Sequence, residues 1–365
     1  MSHRRAAVLA WLLLAVSGVA SAWPADASVG ALDPPPGTAS MELEPTTETP
    51  GSPAAAEPPA DPIVDLETLV VSGAQPGPGL WTVRSGAHEL RILGTVTPLP
   101  RRMEWTSAEV EAAIAAAGVV IAPPAVTVDA DVGFFRGMAL VPALLRARNN
   151  PGGRTLAEAV GPELHARWAV LKARYMGRDR GVEKRRPLVA AQELYEAALK
   201  RSGLVDGGIV EPVLRRARRA AGVPLVDTVV RVRVEDPRGA LRELAESDLA
   251  DHACFAGTLD RIESDLESMR ARANAWAVGD IEALRALPHR DHRIACQDAV
   301  TGSALAQRLG IHDLPERARA AWLENAEEAL REHPSSFAIL PMHHLLGDDG
   351  LLARLRARGY AVEAP

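Results

Sequence analysis

The chain has 365 residues and a formal net charge of −6. That balance weighs against a nucleic-acid binder, whose partner is a polyanion. With 2 cysteines and no Cys or His pair at ligand spacing near them, a structural zinc site is excluded as well.

Arg4 and Arg5 precede an apolar run over residues 6–19, and Ala20-Ser21-Ala22 follows as an A-x-A cleavage pattern. This reads as a secretory signal over 1–22, removed before Trp23. The alternative, an uncleaved anchor, needs about 20 apolar residues, more than this run offers. No Cys follows the cleavage pattern, so a lipid anchor is not expected. Residues 23–62 are rich in Pro, Ala, Glu and Thr and carry almost no periodic apolar pattern. Such a segment buries too little to offset its ordering entropy, and it is expected to be a disordered tether. The rest, 63–365, is expected to be one domain with an inserted helical lobe.

Two strands are expected over 80–84 and 89–96, joined by a hairpin turn at Ser85-Gly86-Ala87-His88. Thr106-Ser107-Ala108-Glu109 has the form of a capping box. The helix after it presents Val110, Ile114 and Ala117 on one face and is expected to stop at Gly118. A short buried strand over 119–122 then completes a βαβ unit.

The middle reads as mostly helical over 142–148, 156–176 and 189–200, interrupted by Asn150-Pro151-Gly152-Gly153. Arg215, Arg216, Arg218 and Arg219 form a local basic run, read as a solvated helix face. Residues 224–234 change to period two, with Val230, Val232 and Val234 alternating with Arg231 and Arg233, until Asp236-Pro237. Leu259, Ile262, Leu266, Met269, Ala273 and Trp276 are spaced as on one long helix, with Gly279 stopping it and Asp280 capping the next. A helix over 315–331, a strand over 336–340, a helix over 348–358 and a closing strand over 360–363 finish the chain. The fold class expected is α/β: a mixed central sheet flanked by helices, with an inserted helical lobe.

Export would carry Cys254 and Cys296 into an oxidising compartment, where an isolated pair tends to bond; two buried free thiols are the alternative. Ligands of open α/β sheets gather beyond the carboxyl ends of strands. Two such ends stand out: Gly94-Thr95-Val96-Thr97, and Pro341-Met342-His343-His344. His343 and His344, followed by Asp348 and Asp349, are candidate ligands for a divalent metal. The plainer reading is one core histidine and one solvated one, because adjacent side chains diverge. No nucleophile elbow, Walker loop, dinucleotide fingerprint or H-E-x-x-H occurs.

These strand ends, together with Asn150-Pro151-Gly152-Gly153-Arg154-Thr155-Leu156, Gly222-Val223-Pro224, Arg272-Ala273-Asn274-Ala275-Trp276-Ala277 and the stretch 350–360, resemble the TraB/GumN family, which is related to Tiki-type metalloproteases. The Asn-Ala-Trp segment and the two cysteines look most like its exported bacterial branch. The resemblance implies two G-x-x-H motifs and a Glu around a catalytic divalent metal such as manganese, cobalt or zinc. Carried onto this chain, the first motif keeps Gly94 but has Thr97 for His, and the Glu position falls on Pro123. The second keeps His344 with Pro341 for the glycine, and a late-helix Asn falls on Ala318. Proline offers no carboxylate, and a Thr hydroxyl is a poor ligand beside imidazole.

The expectation is therefore a degenerate hydrolase-type site, in a protein of the Gram-negative periplasm or secreted beyond it. It would bind a peptide or envelope component without efficient catalysis, and without a transmembrane segment in the mature chain. The alternative is an active metal-dependent peptidase or hydrolase with a rearranged site built on His343 and His344.

Overall fold

The computed structural model describes residues 77–129, 134–287, 292–346 and 349–365. The expected export signal and tether over 1–62, and Asp348, lie outside them.

In chain order the first elements are β1 (Leu80–Ser85), β2 (His88–Thr95), β3 (Leu99–Pro100), α1 (Ala108–Ala116), β4 (Val120–Ile121), β5 (Ala125–Asp129) and α2 (Phe134–Ala147). The middle contributes α3 (Leu156–Tyr175), α4 (Pro187–Arg201), β6 (Leu204–Val205), α5 (Glu211–Ala221), β7 (Leu225–Val226), β8 (Val229–Arg233), α6 (Pro237–Glu246), α7 (His252–Ser264) and α8 (Leu266–Ala277). Then come α9 (Ile281–Ala286), α10 (His292–Thr301), α11 (Ala304–Arg308), α12 (Leu314–Glu332), β9 (Ser335–Pro341), α13 (Met342–Leu345), α14 (Leu351–Ala357) and β10 (Ala361–Glu363).

The central sheet has the order β10-β1-β2-β9-β4-β7. β1 is antiparallel to both neighbours, whereas β2, β9, β4 and β7 run parallel. This is the mixed α/β architecture expected. β2 and β4, the strands of the expected βαβ unit, are not direct partners, because β9 lies between them. β9 reads Ser-Ser-Phe-Ala-Ile-Leu-Pro and is buried from Ser336 to Leu340, as a central parallel strand covered on both faces must be.

Strand alternation divides the core in two. Leu80, Leu93, Val120, Phe337 and Ile339 face one way and meet Val110 and Ile114 of α1, Leu214 of α5 and Trp276 of α8. Trp81, Ile92, Ile121, Ala338 and Leu340 face the other way and meet Trp322, Ala326 and Leu330 of α12 and Leu351 and Leu355 of α14. The helical lobe packs separately, with Trp168, Leu194, Phe255, Leu259 and Met269 among its buried residues. Cys254 of α7 and Cys296 of α10 stand at disulfide distance, with sulfur atoms 2.03 Å apart. Close by, the buried Asp251 accepts a hydrogen bond from the Leu188 N–H at 2.9 Å.

Three local expectations give way to tertiary contacts. The capping box at Thr106-Ser107-Ala108-Glu109 does not form: the Ser107 hydroxyl donates to Glu111 at 2.6 Å, and Glu109 is held by Arg91 of β2. A capping box occurs instead at Thr155 and Glu158, at the start of α3. Gly118 is not a left-handed helix stop. Its N–H bonds the Ser335 carbonyl at 2.9 Å, and an added Cβ would lie 2.6 Å from His333 Nδ1. The long helix expected through Leu259 and Trp276 is broken at Asp265, between α7 and α8. The Asp265 carboxylate turns inward and takes the buried Arg272 at 2.8 Å, with Arg261 at 4.0 Å. Asp280 does cap α9, accepting from the Ala283 N–H.

Candidate functional site

The register brings the two motif-bearing strand ends side by side. Gly94 stands opposite Leu340, and Thr95 opposite Pro341. Ile121 stands opposite Ala338 on the other flank of β9, so the chain beyond β4, beginning Ala122-Pro123-Pro124, leaves the sheet at this same edge. Thr97 and Pro123 are half-buried, just past their strands. His343 and His344 sit on the single turn α13, which follows β9 directly; both are half-buried, with ring centroids 4.1 Å apart. Ala318 is buried near the start of α12.

Gly94 is fixed by crowding. A Cβ there would lie 2.7 Å from Trp81, 2.8 Å from Leu345 and 2.9 Å from Met342. Its carbonyl accepts the indole N–H of Trp276 at 2.6 Å. Trp105 packs on Trp276 at 5.4 Å between ring centroids. Trp276 therefore ties α8 to the end of β2. Its spacing indicates only a core position; the hydrogen bond to a backbone carbonyl has no sequence signal.

A second polar contact also escapes sequence reading. The Asn325 amide of α12 donates to the buried Thr228 hydroxyl, just beyond β7, at 3.0 Å. At the start of α12, Glu316 accepts from Arg319 of its own helix and from Arg354 of α14, which also binds Asp349 at 2.8 Å. The hydrogen bond from Arg354, followed by that from Arg319, holds the Glu316 carboxyl below its ordinary range. These charges neutralise one another, in keeping with a solvated helix start.

The donor set does not fit a three-ligand catalytic metal. Pro123 has no side-chain donor, Thr97 offers a neutral hydroxyl, and the two imidazoles share one turn. Among the described residues, no group of three or more His, Cys, Asp or Glu is placed to hold an ion. No helix among them is long and apolar enough to cross a membrane.

The model of the TraB/PrgY/gumN family matches residues 79–364. The chain belongs to this family. The match spans β1 to β10, so the sheet, the lobe and both strand ends of this TraB/PrgY/gumN protein fall inside it. No curated protein and no solved structure matches the chain.

Proposed function

We propose that this protein is an exported member of the family whose hydrolase-type site is degenerate, and that it binds a peptide or an envelope component without efficient turnover. The observation that carries the reading is the donor set: Thr97 and Pro123 occupy the edge where the resemblance calls for an imidazole and a carboxylate. A site lacking both would hold an ion weakly and lack a general base. The N-terminal signal pattern and the paired Cys254 and Cys296 support export.

The test is mature protein supplied with manganese, cobalt or zinc and presented with a peptide library, beside a His344→Ala control. Peptide capture without cleavage is expected. Thr97→His alone should tighten metal binding slightly, whereas Thr97→His with Pro123→Glu has the better prospect of turnover. The second reading, a rearranged hydrolase site, is favoured by the close approach of the His343 and His344 rings, tilted at 45° to each other, at the end of the central strand. Robust cleavage that disappears in the control would replace the first reading with the second.

A further inference from the structure

β4 and β7 do not end where the main sheet ends. Past Pro123-Pro124 and Asp227-Thr228 the same two stretches pair again as β5 and β8, in parallel register from Ala125 opposite Val229 to Asp129 opposite Arg233. Four hydrogen bonds define which way this backbone faces: Val120 N–H to Pro224 O, Ala122 to Val226, Ala125 to Thr228, and Val234 to Asp129 O. On the stretch 224–234, which carries β7 and β8, every residue engaged in them is even-numbered. In a parallel ladder the N–H and C=O of one residue point to the same side. The odd-numbered Leu225, Asp227, Val229, Arg231 and Arg233 therefore aim their backbone donors and acceptors away from the sheet.

Among the described residues, no strand pairs with this edge, and no backbone hydrogen bond reaches it. Proteins ordinarily shorten or cover such an edge, since it is a template for another strand. Within the main sheet both edges follow that rule, β10 with 3 residues and β7 with 2; it is β8, with 5, that extends the run. The side chains along this edge alternate: Val230 and Val232 pack inward, whereas Asp227, Arg231 and Arg233 are exposed. Arg231 pairs with Asp227 at 3.0 Å. Asp129 stands opposite Arg233 across the ladder, on the side away from the edge.

We infer that the edge formed by β7 and β8 receives an extended peptide as an added strand, with acidic side chains at alternate positions beside Arg231 and Arg233 and apolar ones between them. This rests on the peptide-binding reading above and specifies its mode. The outward hydrogen-bonding row selects an extended backbone, the two exposed arginines select acid, and the inward valines select apolar residues at the intervening positions.

The probe is a labelled nonapeptide of alternating valine and glutamate, with a valine–lysine counterpart, titrated into the full chain by fluorescence anisotropy. The glutamate peptide should bind and the lysine peptide should not, with Arg231→Glu/Arg233→Glu reversing the preference. Two N-methylated forms, blocked at alternate amides of opposite parity, separate strand addition from charge attraction: one should lose binding and the other keep it. Val229→Pro removes one outward donor and no ladder bond, so affinity should fall about tenfold. Equal loss with both N-methylated forms overturns the inference, as does absence of binding. So does protein dimerisation abolished by Val229→Pro, which would give the edge to a second copy. A library peptide captured without parity dependence would leave the peptide-binding reading standing and remove only this edge.

Discussion

At the scale of single residues, close packing fixes the end of β2. Gly94→Ala would drive a methyl group into Trp81, Leu345 and Met342, each nearer than 3.0 Å. Chemical denaturation should show a loss of about 1–3 kcal/mol, the usual cost of overpacking a filled core. The glycine itself was visible in the sequence as a motif residue. Its reason was not, because the crowding partners come from β1 and α13. Asp251 makes a prediction about pH. Burial, partly offset by the Leu188 N–H and the Arg186 charge, raises its pKa. The fold thus binds this proton more tightly than the unfolded chain does. The associated stability is fully present below the unfolded value of about 3.9 and is lost as pH rises through the raised folded value. Asp251→Asn keeps an acceptor for Leu188 and removes the titration. Urea melts should therefore move in the variant's favour, relative to the parent, as pH climbs from about 4 towards 7. A difference that stays flat across that range would remove Asp251 as a source of pH dependence.

At the scale of elements, what the sequence made legible was periodicity. β1, β2, β8 and β9 lie close to where alternation or a continuous apolar run put them, and α12 follows its three-and-four spacing. The break between α7 and α8 was not legible, because the apolar stripe from Leu259 to Trp276 keeps helical spacing across it. The cause is a buried charge cluster, and nothing in local sequence distinguishes an aspartate that turns inward from one on a solvated face. Asp265→Ala would leave Arg261 and Arg272, both buried, without that counter-charge. A destabilisation of about 3–5 kcal/mol is expected in equilibrium unfolding. Failure of the capping box expected between Thr106 and Glu109 has the same character: Arg91 of the neighbouring sheet competes for Glu109 and wins. The candidate site was legible as two strand ends. Their adjacency was not, since it depends on β9 entering between β2 and β4.

At the scale of the whole molecule, Cys254 and Cys296 close a loop across a separation of 42 residues. On the chain-entropy account this is worth about 4 kcal/mol. The double variant Cys254→Ser/Cys296→Ser should lose stability of that order, and reductant should then have no further effect on its unfolding midpoint. A midpoint insensitive to reductant in the parent would show that the bond adds nothing. The position of β9 has a consequence for assembly. The strand at the middle of the sheet is synthesised after both strands it joins, and its Phe337 is 246 positions from its partner Arg91 (337 − 91) and 217 from its partner Val120 (337 − 120), so the sheet forms only through contacts remote in sequence. An incomplete chain, however long, would hold two half-sheets with open flanks facing each other. Folding to the end state must therefore wait for the carboxyl-terminal portion, and any premature stop before residue 335 yields a molecule with no centre.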